Sequence, residues 1–284
     1  MARITALSAL LDPSGSMLLA ERYEYVVENV QKRTLANLLK NVDLSGDPES
    51  GTVEAKRFVN AKSQLYGTAR AAHKGDAIKG KPVTIPIDTD REFVEELEQK
   101  DVSLLGVEGL INRRTSNHAM RMAAELDEAF FDEAKTSGSQ FLPKQSLTDT
   151  ADIVEAAIVA MQNIKNDYID GLDREMLSVI MDAETYSEMR KSLDKSPNSN
   201  IDTAANEFYN YHGVKAYQSN RLPTGVKFIV MLDGSIAQPV MSNQYAAEKI
   251  GLSEAYAVSL FFHYGTKAVT PETIMWYDGT SATS

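Results

Sequence analysis

The longest regular pattern of apolar and polar residues runs from Glu108 to Thr136 and predicts one long helix. The apolar side chains that recur at helical spacing are Leu110, Ile111, Ala119, Met122, Ala123, Leu126, Ala129 and Phe130. No proline interrupts the stretch, and Gly138 follows it as a stop signal. A helix of about 29 residues would be about 43 Å long, against a mean of about 11–12 residues, so we expect a spine along which several parts of the chain pack.

The residues before the spine predict an arm and a further helix. Pro13 and Gly15 break the weak pattern of residues 1–20, which predicts an arm rather than a domain. The stretch Glu21–Val42 has helical spacing, with an apolar side made of Tyr25, Val26, Val30, Leu35, Leu38 and Leu39. The polar residues 45–51 are predicted to end this helix as a loop.

Residues 52–90 predict a long hairpin with a polar tip. Val53–Ala61 is predicted to be extended, and Val83, Ile85 and Ile87 alternate with Thr84 and Pro86 as in a half-buried strand. Prolines at 82 and 86 remove hydrogen-bond donors from one side, which favours an edge strand. Two arms of about 12 residues would project about 40 Å. Because such a projection gains little stability within its own subunit, we expect it to pack on another chain.

The remainder of the chain mixes helices and strands. Helices are predicted over Asp152–Asn163, with Asp152 and Glu155 as a capping pair, and over Ala183–Leu193. The predicted strands are Met176–Met181, Gly213–Ser219, Lys227–Leu232, Ser235–Val240, Ala255–Tyr264 and Lys267–Tyr277. Together with the spine, these elements predict a fold of the α+β class.

Composition narrows the class of protein. The 284 residues are 43% hydrophobic and 24% charged, as in a globular protein, and no apolar run approaches the ~20 residues of a transmembrane helix. Cysteine is absent, which excludes disulfides and thiolate zinc sites. A net charge of −11 argues against a protein that grips nucleic acid, because phosphates would be repelled. The N-terminal residues lack the core of a signal peptide, so we expect a protein kept in the cytoplasm.

Motifs that could carry catalysis are weak. Residues 75–82, GDAIKGKP, nearly match a phosphate-binding loop, but Pro82 replaces the hydroxyl residue that would hold magnesium, and a strand rather than a helix follows. A flexible hairpin tip is the favoured interpretation. Asp88, Asp90 and Asp101 are interpreted as a solvated acidic segment rather than a cation site.

Nothing else in the sequence predicts an active site. The histidines at 73, 118, 212 and 263 lack metal-ligand spacing, and His118 is expected to be a packed helix histidine. No G-x-S-x-G nucleophile motif occurs. We therefore expect a protein that is not an enzyme and that needs no cofactor and no metal.

The order of the predicted elements resembles the major capsid protein of tailed bacteriophages, the Hong Kong 97-type fold. That order is arm, helix, long hairpin, acidic segment, spine helix, α+β domain and return strands. The stretches that carry the resemblance are FVEELEQKDVSLLGVEGLINRRTSNHAMRMAAELDEAFFDEA, GVKAYQSNRLPTGVKFIVMLDGSIAQPV and AYAVSLFFHYGTKAVTPETIMWY. The resemblance covers nearly the whole chain.

The resemblance implies five segments. They are an N-terminal arm and helix at 1–45, an extended loop (a β-hairpin) at 46–91, a peripheral domain with the spine helix at 92–144, an axial domain at 145–255, and return strands of the peripheral domain with a C-terminal tail at 256–284.

The resemblance also implies a function and partners. Proteins of this family form hexamers and pentamers that close into an icosahedral shell around double-stranded DNA, so a virion subunit assembled in the host cytoplasm is expected. The implied partners are further copies of the chain, a portal protein, a separate scaffolding protein because the arm is short, an optional decoration protein, and packaged DNA without specific contacts. No membrane is implied. An encapsulin-like cellular compartment, which would enclose an enzyme cargo, is the alternative. An enzyme of different fold would need a convergent cluster of ionisable residues, which the sequence does not reveal.

Two neighbouring segments of the sequence carry opposite net charges. Residues 53–82 carry seven basic and two acidic side chains, a net +5, whereas residues 88–101 carry seven acidic and two basic ones, a net −5. We hypothesise that the basic hairpin of one subunit lies over the acidic segment and spine of its neighbour, so that surface charge sets the register. The candidate contact residues are Lys56, Arg57, Arg70, Lys74, Lys79, Glu92, Glu95, Glu96 and Glu98.

Some members of the family join a hairpin lysine covalently to an asparagine near the C-terminus of a neighbour. Lys62, Lys74 and Lys79 are the possible lysines here, but no asparagine follows Asn243 in the sequence. A non-covalent shell is therefore expected.

Overall fold

The computed structural model describes residues 6–61, 63–72, 79–195 and 210–282. Its helices are α1 (Pro13–Arg33), α2 (Ala36–Leu39), α3 (Thr68–Ala72), α4 (Gln99–Ser137), α5 (Thr150–Gln162) and α6 (Ala183–Lys195). Its strands are β1 (Leu44–Ser45), β2 (Thr52–Phe58), β3 (Gly80–Pro86), β4 (Thr89–Leu97), β5 (Ser139–Gln140), β6 (Leu177–Met181), β7 (Asn210–Tyr211), β8 (Val214–Gln218), β9 (Phe228–Leu232), β10 (Ile236–Ala237), β11 (Val240–Ser242), β12 (Ala246–Lys249), β13 (Tyr256–Tyr264), β14 (Lys267–Ala268) and β15 (Ile274–Tyr277). Helices and strands are mixed, which confirms the predicted α+β class. Within the described residues, no helix is long and apolar enough to cross a membrane.

The spine helix forms where the apolar spacing predicts it. α4 contains one non-helical residue, Gly106, with φ 70° and ψ 165°. Glycine adopts this conformation readily because it has no Cβ, and the regular helix continues beyond it. The helix stops at the predicted glycine. A Cβ on Gly138 would lie 2.5 Å from the carbonyl oxygen of Ala134 and 2.7 Å from Cγ2 of Ile274, so a larger residue would collide.

The first helix starts and ends earlier than predicted. The sequence predicts a helix over Glu21–Val42, but α1 starts at Pro13, a favourable residue in a first turn because its missing N–H needs no partner there. At its other end, the Thr34 hydroxyl donates to the Val30 carbonyl at 2.6 Å and closes the last turn. The prediction that residues 1–20 form an arm is therefore wrong for residues 13–20.

The chain forms two compact units. The first contains the residues up to Leu38, Pro86–Ala129 and Gln238–Gly265, and the second contains Leu39–Ile85, Phe130–Ala237 and the residues from Thr266 onward. Residues 238–255, predicted as part of the axial domain, lie in the first unit. The division into peripheral and axial domains stays a prediction.

In the first unit, a four-stranded sheet is built around β13. This strand pairs antiparallel with β4 along its whole length on one side, and with β11 and β12 on the other. Buried side chains of α1, α4 and the sheet form one apolar core, which includes Val26, Met122, Leu126, Leu260 and Phe262. The buried carboxylate of Asp127 on α4 accepts the N–H of Ala36 at 2.9 Å, which holds the start of α2.

In the second unit, six strands lie in the order β5-β15-β9-β6-β8-β7. The central β6 is buried along its whole length, parallel to β8 and antiparallel to β9. α5 and α6 share a core with this sheet, which includes Ile158, Met161, Val179, Met189 and Phe228. The predicted strands at 176–181, 213–219 and 227–232 thus correspond to β6, β8 and β9.

The capping prediction for α5 is wrong. The carboxylate of Asp149 accepts the N–H of Ala151 at 2.8 Å, so Asp149 caps the helix and Asp152 lies inside the first turn. Glu155, the other member of the predicted pair, forms an ion pair with Arg174. A chain with acidic residues at both 149 and 152 offers two possible caps, and the start of the helix at Thr150 selects the earlier one.

The predicted hairpin arms are β2 and β3, which are neighbours in a sheet ordered β1-β2-β3, so β3 is the predicted edge strand. Each arm has seven residues rather than about 12, a span of about 24 Å rather than 40 Å. The base of the hairpin is packed, since Val53, Ala55 and Ile85 are buried with Ala237 and Val269. The expectation that the hairpin gains little stability within its own subunit is therefore wrong for its base.

Candidate assembly surfaces

The acidic segment before the spine forms β4, and its side chains alternate between two environments. Phe93, Glu95 and Leu97 face the core of the first unit, whereas Glu92 and Glu96 are exposed on the opposite face. β4 is an edge strand, because β13 is its only sheet partner among the described strands. A strand at the edge of a sheet presents unpaired backbone groups as well as side chains to a neighbour.

The strand register builds an acidic patch across the outer face of this sheet. Glu96 and Glu248 both lie next to Ala257, and Glu92 lies beside Phe261. Val94, at the centre of β4, is 51% exposed, and Phe261 is 36% exposed. We define the acidic sheet face as the outward side chains of these strands, namely Asp90, Glu92, Val94, Glu96, Glu248, Phe261 and His263. At its end, the His263 Nδ1 lies 2.7 Å from the Asp90 carboxylate.

The hairpin presents basic side chains to solvent. Lys56 on β2, Lys79 just before β3 and Lys81 on β3 are exposed. Phe58 on β2 is 55% exposed, although a large apolar side chain is costly to leave in water. The tip continues with Tyr66, which is 95% exposed. Basic and apolar groups therefore lie side by side on the hairpin, as acidic and apolar groups do on the sheet face.

Some predicted contact residues are engaged within their own chain. The Arg57 guanidinium lies 3.8 Å from the centre of the Tyr168 ring and forms an ion pair with Glu272, in the second unit. Glu98 forms an ion pair with Lys100 at 2.5 Å, immediately after β4. These pairs show that charge counting along the sequence cannot separate internal ion pairs from groups available to a neighbour.

Glu95 is the clearest of these internal residues. Its carboxylate accepts hydrogen bonds from Nε of Arg114 at 2.7 and 2.9 Å, and Arg114 also donates through Nη2. Its Oε1 lies 3.2 Å from Nε2 of the buried His118. Hydrogen bonding to Arg114 holds the pKa of Glu95 below its ordinary value, against the opposing effect of burial. Glu95 therefore ties β4 to α4.

The structure describes only part of the predicted hairpin set. Lys62 and Lys74 lie outside the described residues, as do His73 and the first half of the GDAIKGKP stretch, residues 75–78. Arg70 lies on α3, and its side chain is likewise outside the description. Lys56, Lys79, Glu92 and Glu96 are the predicted contact residues that are exposed and described.

The acidic residues and histidines that were considered as possible cation-binding or catalytic groups do not come together in the described part of the structure. Asp90 pairs with His263, and Asp101 accepts the N–H of Glu98 at 3.3 Å, so neither belongs to a joint cluster. His212 lies in the other compact unit, 3.4 Å from Glu155. Among the described residues, no group of three His, Asp or Glu side chains is placed to hold a metal ion.

Comparison with solved structures identifies the fold. The protein from Mycobacterium phage Che8 matches with a TM-score of 0.60 and 19% identity, covering 82% of this chain and 86% of that one. The capsid of Cyanophage P-SCSP1u matches with a TM-score of 0.65 and 13% identity, covering 88% and 89%. The chain has the Hong Kong 97-type capsid fold. A virus-like particle from Pyrococcus furiosus shares this fold, with a TM-score of 0.58, 11% identity, and coverage of 90% and 97%. Neither a protein-family model nor a curated protein sequence matches the chain.

Within this Hong Kong 97-type fold, the sequence prediction missed part of the acidic sheet face. Val94, Phe261 and Glu248 come together only because β13 pairs with β4 on one side and β12 on the other. The even spacing of Phe93 and Leu97, which places both on one side of a strand with Glu92 and Glu96 on the other, is the signal that could have indicated a two-faced strand.

Proposed function

We propose that the chain is a structural subunit of an icosahedral phage head and assembles into hexamers and pentamers around double-stranded DNA. The observation that carries the proposal is the Hong Kong 97-type fold across more than 80% of the chain, at identities of 19% and below. The neighbours are described as phage capsids and a virus-like particle, which supports a shell subunit located in a virion capsid.

The exposed charges supply a specific contact for this assembly. In the proposal, the hairpin of one subunit lies over the acidic sheet face of its neighbour, with Lys56 and Lys79 near Glu92 and Glu96. The exposed Phe58 would then cover Val94 and Phe261, so apolar burial adds to charge attraction. An exposed ion pair contributes only about 0–1 kcal/mol, but a closed ring repeats the contact at every subunit.

The proposed partners follow from the same function. They are a separate scaffolding protein, a portal protein and an optional decoration protein, with assembly in the host cytoplasm. The net charge of −11 supports DNA that is enclosed rather than gripped by specific contacts. The proposed role includes no catalysis and no cofactor.

Electron microscopy of the chain, expressed alone and with a candidate scaffolding protein, tests the proposal. Closed shells or rings of five and six subunits are the expected result. Only monomers in sedimentation at every salt concentration, with and without scaffold, would refute it. Shells that form around a co-purifying enzyme rather than a scaffold would instead identify an encapsulin-like compartment.

A further inference from the structure

The buried side chain of His118 connects α4 to the edge strand β4. His118 is 2% exposed. Its ring stacks on the Phe93 ring of β4, with the ring centres 4.7 Å apart and an angle of 4° between the ring planes. Nδ1 lies 2.8 Å from the hydroxyl of Tyr245, in the segment between β11 and β12. Nε2 lies 3.2 Å from the Glu95 carboxylate, which is held by Arg114. One ring therefore makes two contacts with β4.

We propose that His118 is an acid-sensitive latch: a proton taken up by its ring releases β4 from α4 while the rest of the first unit stays folded. This behaviour belongs to the single subunit and does not depend on the proposed shell function.

The contact at Nδ1 suits the neutral ring better than the charged ring. Nδ1 can accept a hydrogen bond from the Tyr245 hydroxyl only while it carries no proton. The proton of the neutral ring is then on Nε2, which lies 3.2 Å from the Glu95 carboxylate without making a hydrogen bond to it. If Nδ1 carried a proton, its N–H would face the O–H of Tyr245, and the hydroxyl would have to rotate to accept a hydrogen bond instead of donating one. Glu95 is already paired with Arg114, whose own charge repels a second cation.

The groups around the His118 ring determine whether its pKa is raised or lowered. The titratable and charged ones are Glu95 from β4, Arg114 from α4 and Tyr245. The uncharged neighbours include Phe93, Leu97, Ile111, Thr115 and Val258. Burial is the largest effect and lowers the pKa of His118. Arg114 lowers it further, and Glu95 opposes both. The pKa of His118 in the closed subunit therefore lies below the ordinary histidine value of 6.5.

β4 is held at the edge of its sheet, where a release from α4 would uncover only one of its sides. It has one strand partner, whereas β13 has neighbours on both sides. Its side-chain links to α4 include Phe93 on His118, Glu95 with Arg114, and Arg91, whose Nε lies 2.5 Å from the Glu125 carboxylate. Losing the contacts to His118 removes the aromatic part of this attachment.

Proton binding sets an upper limit on how strongly pH can change the opening constant of β4. A histidine whose pKa is lowered in the closed state binds more protons when β4 is open, so opening becomes more favourable as pH falls below 6.5. One proton can raise the opening constant by at most tenfold per pH unit. Glu95, whose pKa is also lowered, adds a second proton only below its ordinary value of 4.5. Measurements above about pH 5.5 therefore report on His118.

Native-state hydrogen exchange of the unassembled full-length subunit tests the latch. After correction for intrinsic exchange rates, the opening constant of the β4 amides should rise several-fold between pH 6.5 and 5.5, while the β6 amides keep theirs. His118→Gln should abolish that pH dependence, whatever the absolute level of opening. His212→Gln is the matched control, because His212 lies in the second unit and contacts Glu155 rather than a residue of β4. It should retain the wild-type slope.

Two results would overturn the proposal. One is a β4 opening constant that does not change with pH in the wild type, or a slope that survives in His118→Gln. The other comes from NMR titration of the wild-type ring, which does not require a variant to fold. If the His118 ring signals titrate at or above 6.5 in the closed subunit, protonation does not favour opening and the latch does not exist.

Discussion

Reversing two charges on the acidic sheet face should block assembly while leaving the subunit folded. The side chains of Glu92 and Glu96 are exposed on β4 and make no hydrogen bond or ion pair with a described residue. The double variant Glu92→Lys/Glu96→Lys moves the net charge from −11 to −7, since each substitution adds two charges. Exposed substitutions of this kind change the free energy of unfolding by about 0.5 kcal/mol or less, so circular dichroism and thermal unfolding should match the wild type.

The effect on assembly should be far larger than the effect on folding. Each exposed pair contributes about 0–1 kcal/mol, and reversal replaces an attraction with a repulsion of similar size, so two positions weaken one contact by about 2 kcal/mol. A ring of six subunits repeats the contact six times, which amounts to a loss on the order of 10 kcal/mol per hexamer. Such a loss leaves almost no closed ring at micromolar concentration.

Light scattering and sedimentation velocity, with scaffold present, measure the outcome. The matched control is Glu24→Lys/Glu184→Lys, which changes the net charge equally at exposed positions of α1 and α6, outside the acidic sheet face and outside the spine helix. Adding Lys56→Glu and Lys79→Glu to the reversed face should restore assembly, because the charges are then complementary again. Assembly of the reversed variant at the wild-type rate, or an equal defect in the control, would refute the proposed register.

Three further outcomes are expected. Gly265→Ala should lower the free energy of unfolding by about 1–3 kcal/mol in urea titrations, because its Cβ would lie 1.8 Å from the Pro86 carbonyl oxygen and both backbones must move; an unchanged midpoint would contradict this. Arg114 holds the pKa of Glu95 down, so the stabilisation is present above Glu95's ordinary value of 4.5 and is lost as pH falls through the lower folded value. Arg114→Ala should therefore flatten the fall in stability below pH 4.5, and an unaltered acid profile would show that the pair is not responsible. Mature particles, boiled in denaturant, should run as single subunits on a gel, whereas a ladder of multimers would reveal covalent joining.

Local sequence signals were sufficient wherever an element has a strong pattern of its own. The apolar stripe of the spine, its stop at Gly138 and the alternation before Pro86 each predicted the observed element. These features depend on 3.6- and 2-residue periodicity, which reports which face of an element meets a core. The start of α1 at Pro13 was missed because its first turns carry little apolar pattern, although the proline itself is a start signal.

The candidate contact residues were only partly predictable for a different reason. Charge along the chain indicated a basic hairpin and an acidic segment, but it could not distinguish Glu95 from Glu96. Strand pleating turns Glu95 inward to Arg114 and Glu96 outward to solvent. Similarly, nothing in the spacing of Arg57 revealed its stacking on Tyr168, far away in sequence.

By itself, the sequence determined the α+β class, the spine and its end, the edge-strand hairpin and the absence of cysteine chemistry, since these depend on neighbours in the chain. Only the tertiary structure decided which charges are exposed and which are paired. It placed Phe261 and Glu248 beside the acidic strand, and it buried His118 against Phe93 and Tyr245. The physical reason is that exposure and proton affinity depend on groups brought close by long-range strand pairing, and local periodicity carries no information about those partners.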